Sequence, residues 1–248
     1  MPNVTALTTP IASDDRYGGS RTAGYNAISA LAGRNATVYT FTSNSAPILI
    51  SAHGRIFGSA FNYRSFVSFD MDGNDDDGAS ISGNTVESAN LYLRSLVNIT
   101  GFIAYTGNTN DAIYAVKSDA SAFNSTGVYN DLDGWVSSGT YDGNVRDYGH
   151  VAQAVNSDLS ISLNSNAISD INSAISGGNE VKIALLTEDD FLSTTSGDGL
   201  GTLSGNNLEG LRFHSTESST ASYKPRLELT YASGATVTHN ATFFGANF

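Results

Sequence analysis

Along this chain apolar residues recur at every second position in runs about one strand long, separated by clusters of Gly, Asn, Asp and Ser. In Tyr63-Arg64-Ser65-Phe66-Val67-Ser68-Phe69-Asp70-Met71 the positions Val67, Phe69 and Met71 are predicted to face a core, with Arg64, Ser68 and Asp70 facing outward. The same alternation returns at Ala89, Leu91 and Leu93, at Val181, Ile183 and Leu185, at Leu211 and Phe213, and at Leu227, Leu229 and Tyr231. A half-buried strand has this period, because successive side chains point to opposite faces of a sheet.

One stretch breaks the period. From Ser165 to Ser176, Ile168, Ile171 and Ile175 fall at helical spacing, with Ser165 as predicted N-cap and Gly177-Gly178 as the stop. A weaker candidate runs from Ala23 to Leu31 and reads equally well as irregular chain. Helices do not alternate with the strands, which argues against a doubly wound α/β fold. The expected fold is all-β: an antiparallel jelly-roll β-sandwich with one short helix near residues 165–176 and extended terminal arms.

Length is compatible with one such domain, since sandwiches commonly reach 248 residues without dividing. No internal repeat or linker splits the chain. The expected organisation is an N-terminal arm at 1–12, a sandwich at 13–234 and a C-terminal arm at 235–248. The C-terminal arm carries Phe243, Phe244 and Phe248, which are expected to anchor on a neighbouring subunit.

Charge narrows the partners. The 24 acidic residues outnumber the 12 Lys and Arg, giving a net charge of −12, so nucleic acid would be repelled. In a DNA-filled particle the same repulsion favours the outside. The N-terminal sequence lacks the basic and apolar regions of a signal peptide, and no run of about 18 apolar residues occurs, so neither export nor a membrane partner is expected. The absence of cysteine excludes disulfides, thiolate catalysis and Cys-ligated metals.

Two segments resemble a known family. Arg64-Ser65-Phe66-Val67-Ser68-Phe69-Asp70, followed by Val86-Glu87-Ser88-Ala89-Asn90-Leu91-Tyr92-Leu93, is similar to the paired central motif of DNRLRE-like domains. Phe213-His214-Ser215-Thr216-Glu217-Ser218 and Tyr223-Lys224-Pro225-Arg226-Leu227-Glu228-Leu229-Thr230-Tyr231 resemble the closing strand of the same family. Together they bracket roughly residues 35–232. The resemblance implies a jelly roll similar to carbohydrate-binding modules, of a kind found in bacterial surface proteins and in tailed-phage structural proteins. Asn166-Ala167-Ile168-Ser169-Asp170-Ile171-Asn172, ahead of Lys182-Ile183-Ala184-Leu185, is also similar to phage members.

Chemistry-bearing residues are sparse. Asp70, Asp72, Asn74 and Asp76 lie at a spacing that lets their oxygens converge on a hard cation such as calcium, although the segment is not an EF-hand. The competing reading is a solvated acidic loop, with no cofactor at all. Glu188-Asp189-Asp190 offers paired carboxylates of the glycosidase kind, but exposed turn residues are the expectation. His53, His150, His214 and His239 show no metal-ligand spacing, and no nucleophile elbow, P-loop or dinucleotide fingerprint is present. Tyr129, Trp135 and Tyr141, with Tyr148 nearby, would form the stacking platform if a host surface glycan were bound; packing is the competing use.

These features lead to the expectation of a non-enzymatic virion protein, a decoration or cement protein on the outer capsid of a tailed bacteriophage, assembled in the host cytoplasm. Its expected partners are the major capsid protein and copies of itself. The alternative is a carbohydrate-binding adhesin module, tail-associated or on a cell surface.

Overall fold

A computed structural model describes residues 4–8, 16–23, 38–41, 48–56, 59–71, 80–96, 104–106, 112–120, 132–134, 145–192 and 207–232. The strands are β1 (Val4–Thr8), β2 (Arg16–Ala23), β3 (Val38–Phe41), β4 (Ile48–Ile56), β5 (Ser59–Asp70), β6 (Val86–Arg94), β7 (Ala104–Thr106), β8 (Ala112–Lys117), β9 (Asp147–Ala152), β10 (Asp158–Ser162), β11 (Glu180–Thr187), β12 (Asn207–His214) and β13 (Arg226–Tyr231). Helix α1 (Ser165–Gly177) precedes β11, α2 (Glu188–Leu192) follows it, and a 3-10 turn spans Ala221–Tyr223.

The strands form two sheets. One has the order β1-β13-β6-β10. The other runs β7-β12-β4-β5-β11-β8-β9, with β2 on β5 and β3 on β2. All described pairings are antiparallel except β7 with β12. The fold is therefore the expected all-β antiparallel sandwich. Val4–Thr8, within the expected N-terminal arm, pairs along its length with β13.

Alternation places the core. Val67, Phe69, Met71, Ala89, Leu91, Leu93, Val181, Ile183, Leu185, Leu211, Phe213, Leu227, Leu229 and Tyr231 all lie in one buried cluster between the sheets. Helix α1 closes the cluster with Ala167, Ile171, Ala174 and Ile175, while Ile168 is only partly buried at its side. Its N-cap is Asn164, one residue earlier than the sequence suggests; the Asn164 side chain accepts from the amides of Asn166 and Ala167. Gly178 ends the helix in the left-handed conformation, φ 61°, as the glycine pair predicts.

Beyond this packing, the Asn172 side chain ties the helix to the four-stranded sheet. Asn172 Oδ1 accepts from the Val86 amide at 2.8 Å, and its Nδ2 donates to the Val86 carbonyl at 3.0 Å, so it stands in for a neighbouring strand. Asn172→Ala leaves both backbone groups without this partner and is expected to cost about 2–3 kcal/mol, read as a lower urea midpoint at unchanged slope.

The large sheet differs from expectation on its outer face. Phe66, Tyr114, Val116, Ala184 and Leu186 point away from the sandwich core yet are buried, in a second apolar layer completed by Leu132, Val145 and Phe191. The Phe191 ring, from α2, stacks on Tyr114 at 4.1 Å. Arg64 and Ser68, predicted to face water, are buried on this side; Asp70 is exposed. Asp190, expected as an exposed turn residue, has no exposed side-chain surface and pairs with Arg64. A charge can be held there only with a partner. No helix among the described residues is long and apolar enough to cross a membrane.

Candidate functional site

Where α1, β8 and β11 meet, the surface opens into a polar cleft of about 680 Å³. Lys117 and Asp119 border it at the end of β8, Asp170 on α1, and Glu180 and Lys182 on β11, with Asp70 at the end of β5. These strand ends are brought together by sheet pairing: the Ser118 amide donates to Lys182 O at 3.0 Å, Lys117 N to Arg146 O at 3.0 Å, and Asp133 N to Lys117 O at 3.1 Å.

The charged groups beside the cleft form an alternating chain. Lys117 Nζ lies 3.4 Å from Asp119 and 3.2 Å from Asp133. Asp133 is 4.0 Å from Arg146 Nε. Arg146 grips Asp170 with two nitrogens, Nε at 2.5 Å and Nη2 at 3.1 Å. Tyr148 completes the chain by donating its hydroxyl to Asp170 Oδ2 at 2.8 Å. Separately, Glu180 accepts from Ser68 Oγ at 3.0 Å and pairs with Lys182 at 3.1 Å.

A bulge aims Tyr148 at this network. Ala115 opposes Gly149 but Val116 opposes Asp147, so Tyr148 is the extra residue of β9. The carbonyls around it go to the helix entrance: Asn164 N donates to Tyr148 O, and Asn164 Nδ2 to Asp147 O, both at 2.9 Å.

Burial pushes the Tyr148 hydroxyl well above the ordinary tyrosine range, and the hydrogen bond and charge of Asp170 push it the same way. For Lys117, burial acts downward, but the hydrogen bond and charge of Asp133, helped by Asp119 and Asp170, raise it overall. The hydrogen bond to Asp170, then its charge, raises Arg146 against the opposing effect of burial. Tyr148 and Lys117 thus keep their protons in the folded state after the unfolded chain has begun to lose them near pH 10. Their contribution is complete below that pH and declines above it. Stability is expected to fall by about 1.4 kcal/mol per pH unit above roughly pH 10 on account of Tyr148, with Lys117 adding in the same direction, and Tyr148→Phe to remove the tyrosine share. Urea titrations between about pH 9 and pH 11.5 would measure both slopes.

Chemically, the cleft presents ion pairs rather than an isolated acid or base. Asp119, Asp133, Asp170 and Glu180 each face a cation within 4.0 Å. None of Lys117, Asp119, Asp133, Arg146 or Asp170 is singled out as a site by sequence motif. The one available signal is scarcity: Lys117 and Arg146 are two of only 12 cations in the chain.

Of the residues that the sequence nominates, Asp70 lies at the cleft, whereas Asp72, Asn74 and Asp76 lie outside the described residues. So do Tyr129, Trp135 and Tyr141, and Phe243, Phe244 and Phe248. Among the described residues no three His, Asp or Glu converge as a metal would require. Tyr148 is 1% exposed and packs in the core, so it offers no stacking face to a sugar. His150 is exposed on β9 and stacks on Tyr114 at 4.7 Å; His214 lies 4.9 Å from Tyr223. No known protein family matches the sequence, and no curated protein matches it either.

Proposed function

We propose that the chain is a non-enzymatic structural protein of a virion, and specifically a decoration protein on the outer capsid of a tailed bacteriophage. The observation that carries this reading is how the polar cleft uses its charges. The carboxylates that would serve as acid or base are matched to cations, and Asp170 is filled by Arg146 and Tyr148. Such a network joins the helix, β8 and β9 into one rigid unit, as a protein that supports an assembly requires. The net charge of −12 suits a surface facing away from packaged DNA. The motifs similar to those of DNRLRE-like domains point the same way.

The test is to purify particles from the natural source and count copies by quantitative mass spectrometry, then locate them by electron cryomicroscopy. Many ordered copies outside the capsid are expected. A free monomer that never sediments with particles would overturn the reading.

The cleft volume favours a second reading. A space of about 680 Å³ with polar walls falls within the range of small-ligand sites, roughly 300–1,000 Å³, and would accept one or two sugar residues. A glycan-binding module that uses this cleft would lose binding in Asp119→Ala, an exposed residue of its wall, while assembly stayed intact.

A further inference from the structure

Among the described residues, the outer face of the four-stranded sheet carries two cations, Lys224 and Arg226, that no acid pairs, in a chain that is otherwise acidic. Across the strands, Ser160, Tyr92 and Arg226 stand in one row, Ser162, Asn90 and Glu228 in the next, and Asp158 beside Arg94 at the end. Two guanidinium groups lie over tyrosine rings: Arg226 is 5.4 Å from the centre of Tyr92, and Arg94 is 5.1 Å from that of Tyr223. Of the described acids here, Asp158 is paired with a cation and Glu228 is held by neutral donors. Glu228 accepts from Tyr92 and Asn90, and Asp158 is 3.3 Å from Arg94. Among the described residues neither Arg226 nor Lys224 has a carboxylate within ion-pair distance, and Arg226 Nε is buried without a hydrogen-bond partner.

The geometry points to this face as a docking surface for a carboxylate-rich surface of another protein, with Arg226 on Tyr92 at its centre. Shape selects a protein over a small ligand. The depression between Tyr92, Arg94, Lys224 and Arg226 holds only about 10 Å³, too little to enclose a sugar ring or a cofactor. Tyrosine and arginine are the residues enriched where protein interfaces concentrate their binding energy. Stacking on the ring also pre-orients the guanidinium fork toward a carboxylate.

Size sets the strength. Four strands about 4.8 Å apart give a face on the order of 300–400 Å², below the roughly 800 Å² per partner of a standard interface. A single contact is therefore weak, and many copies on one particle would supply the avidity. The inference rests on the assembly reading and adds which face docks and what chemistry it meets.

The chain has three lysines, Lys117, Lys182 and Lys224, which makes a footprint simple. Particle-bound and free protein are acetylated with an N-hydroxysuccinimide ester, and the rate at Lys224 is compared with that at Lys182. At least tenfold protection of Lys224 on particles is expected; an unchanged ratio overturns the inference. In parallel, the free protein is passed over immobilised poly-L-glutamate and over immobilised alginate. Salt-sensitive binding to poly-L-glutamate, weakened at least tenfold in Arg226→Gln/Lys224→Gln, is the expected result. Binding to alginate alone, or undiminished binding by the folded variant, overturns it. Absence from particles would sink the virion reading, while the poly-L-glutamate arm would still decide the face.

Discussion

Asp190→Asn is expected to lower the unfolding free energy by about 3–5 kcal/mol, a large part of the roughly 5–15 kcal/mol that holds an ordinary domain. Arg64 grips Asp190 with Nε at 2.6 Å and Nη2 at 2.7 Å, and neither side chain has exposed surface. Asparagine removes the charge but leaves the guanidinium, which does not deprotonate in a protein. The buried cation would then lose the charge that it faces at 2.6 Å. Replacing both residues by apolar ones of similar length, Arg64→Met with Asp190→Leu, removes the desolvation cost together with the attraction, so most of the loss should return. The neighbours in sequence favour this, since Phe66 and Phe191 already belong to the apolar layer. Equilibrium urea unfolding of both variants measures the difference. A single replacement costing under about 1 kcal/mol would mean that the pair behaves as if exposed to water.

This pair shows where sequence reading succeeds and where it stops. The alternation at Val67, Phe69 and Met71 locates the sandwich core, because period two depends only on which face of a strand is dry. It does not reveal whether the other face is wet. The hint is present: β8 and β11 place Tyr114, Val116, Ala184 and Leu186 on the opposite parity, and nearly continuous apolar runs mark strands buried on both sides. Reading only the odd positions of β11 hides the second layer, and with it the burial of Arg64. The helix was legible to within one residue, since Asn164 and Ser165 are both good caps. The cleft was not. Besides the near neighbours Lys117 with Asp119 and Glu180 with Lys182, its chain needs Lys117 to meet Asp133 and Arg146 to meet Asp170, from separate elements, and Arg64 meets Asp190 across 126 positions. With 24 acids available, only topology decides which of them meets which cation.

Gly149→Ala should be the most damaging single-methyl change on the sheet edge, at about 3–4 kcal/mol, combining backbone strain with a steric clash. Gly149 has φ +132°, a conformation that L side chains rarely adopt. A Cβ there would also lie 2.7 Å from Ser162 O and 3.2 Å from Ile161 Cγ2. The first obstacle is backbone of β10 and cannot rotate away. Gly83 separates the two causes, because its φ is +79° but nothing lies within 4 Å of the point where a Cβ would stand. Gly83→Ala should therefore show strain alone, about 1 kcal/mol. For a chain of this size 3 kcal/mol corresponds to a Tm decrease of roughly 6–12 °C, measurable by calorimetry. The damage should also reach the cleft, because Gly149 adjoins the bulged Tyr148. If β9 shifts to relieve the clash, the Tyr148 hydroxyl leaves Asp170 and the alkaline loss of stability becomes shallower. Equal losses at Gly83 and Gly149 would instead show that the close approach of β9 to β10 contributes nothing beyond the dihedral angle.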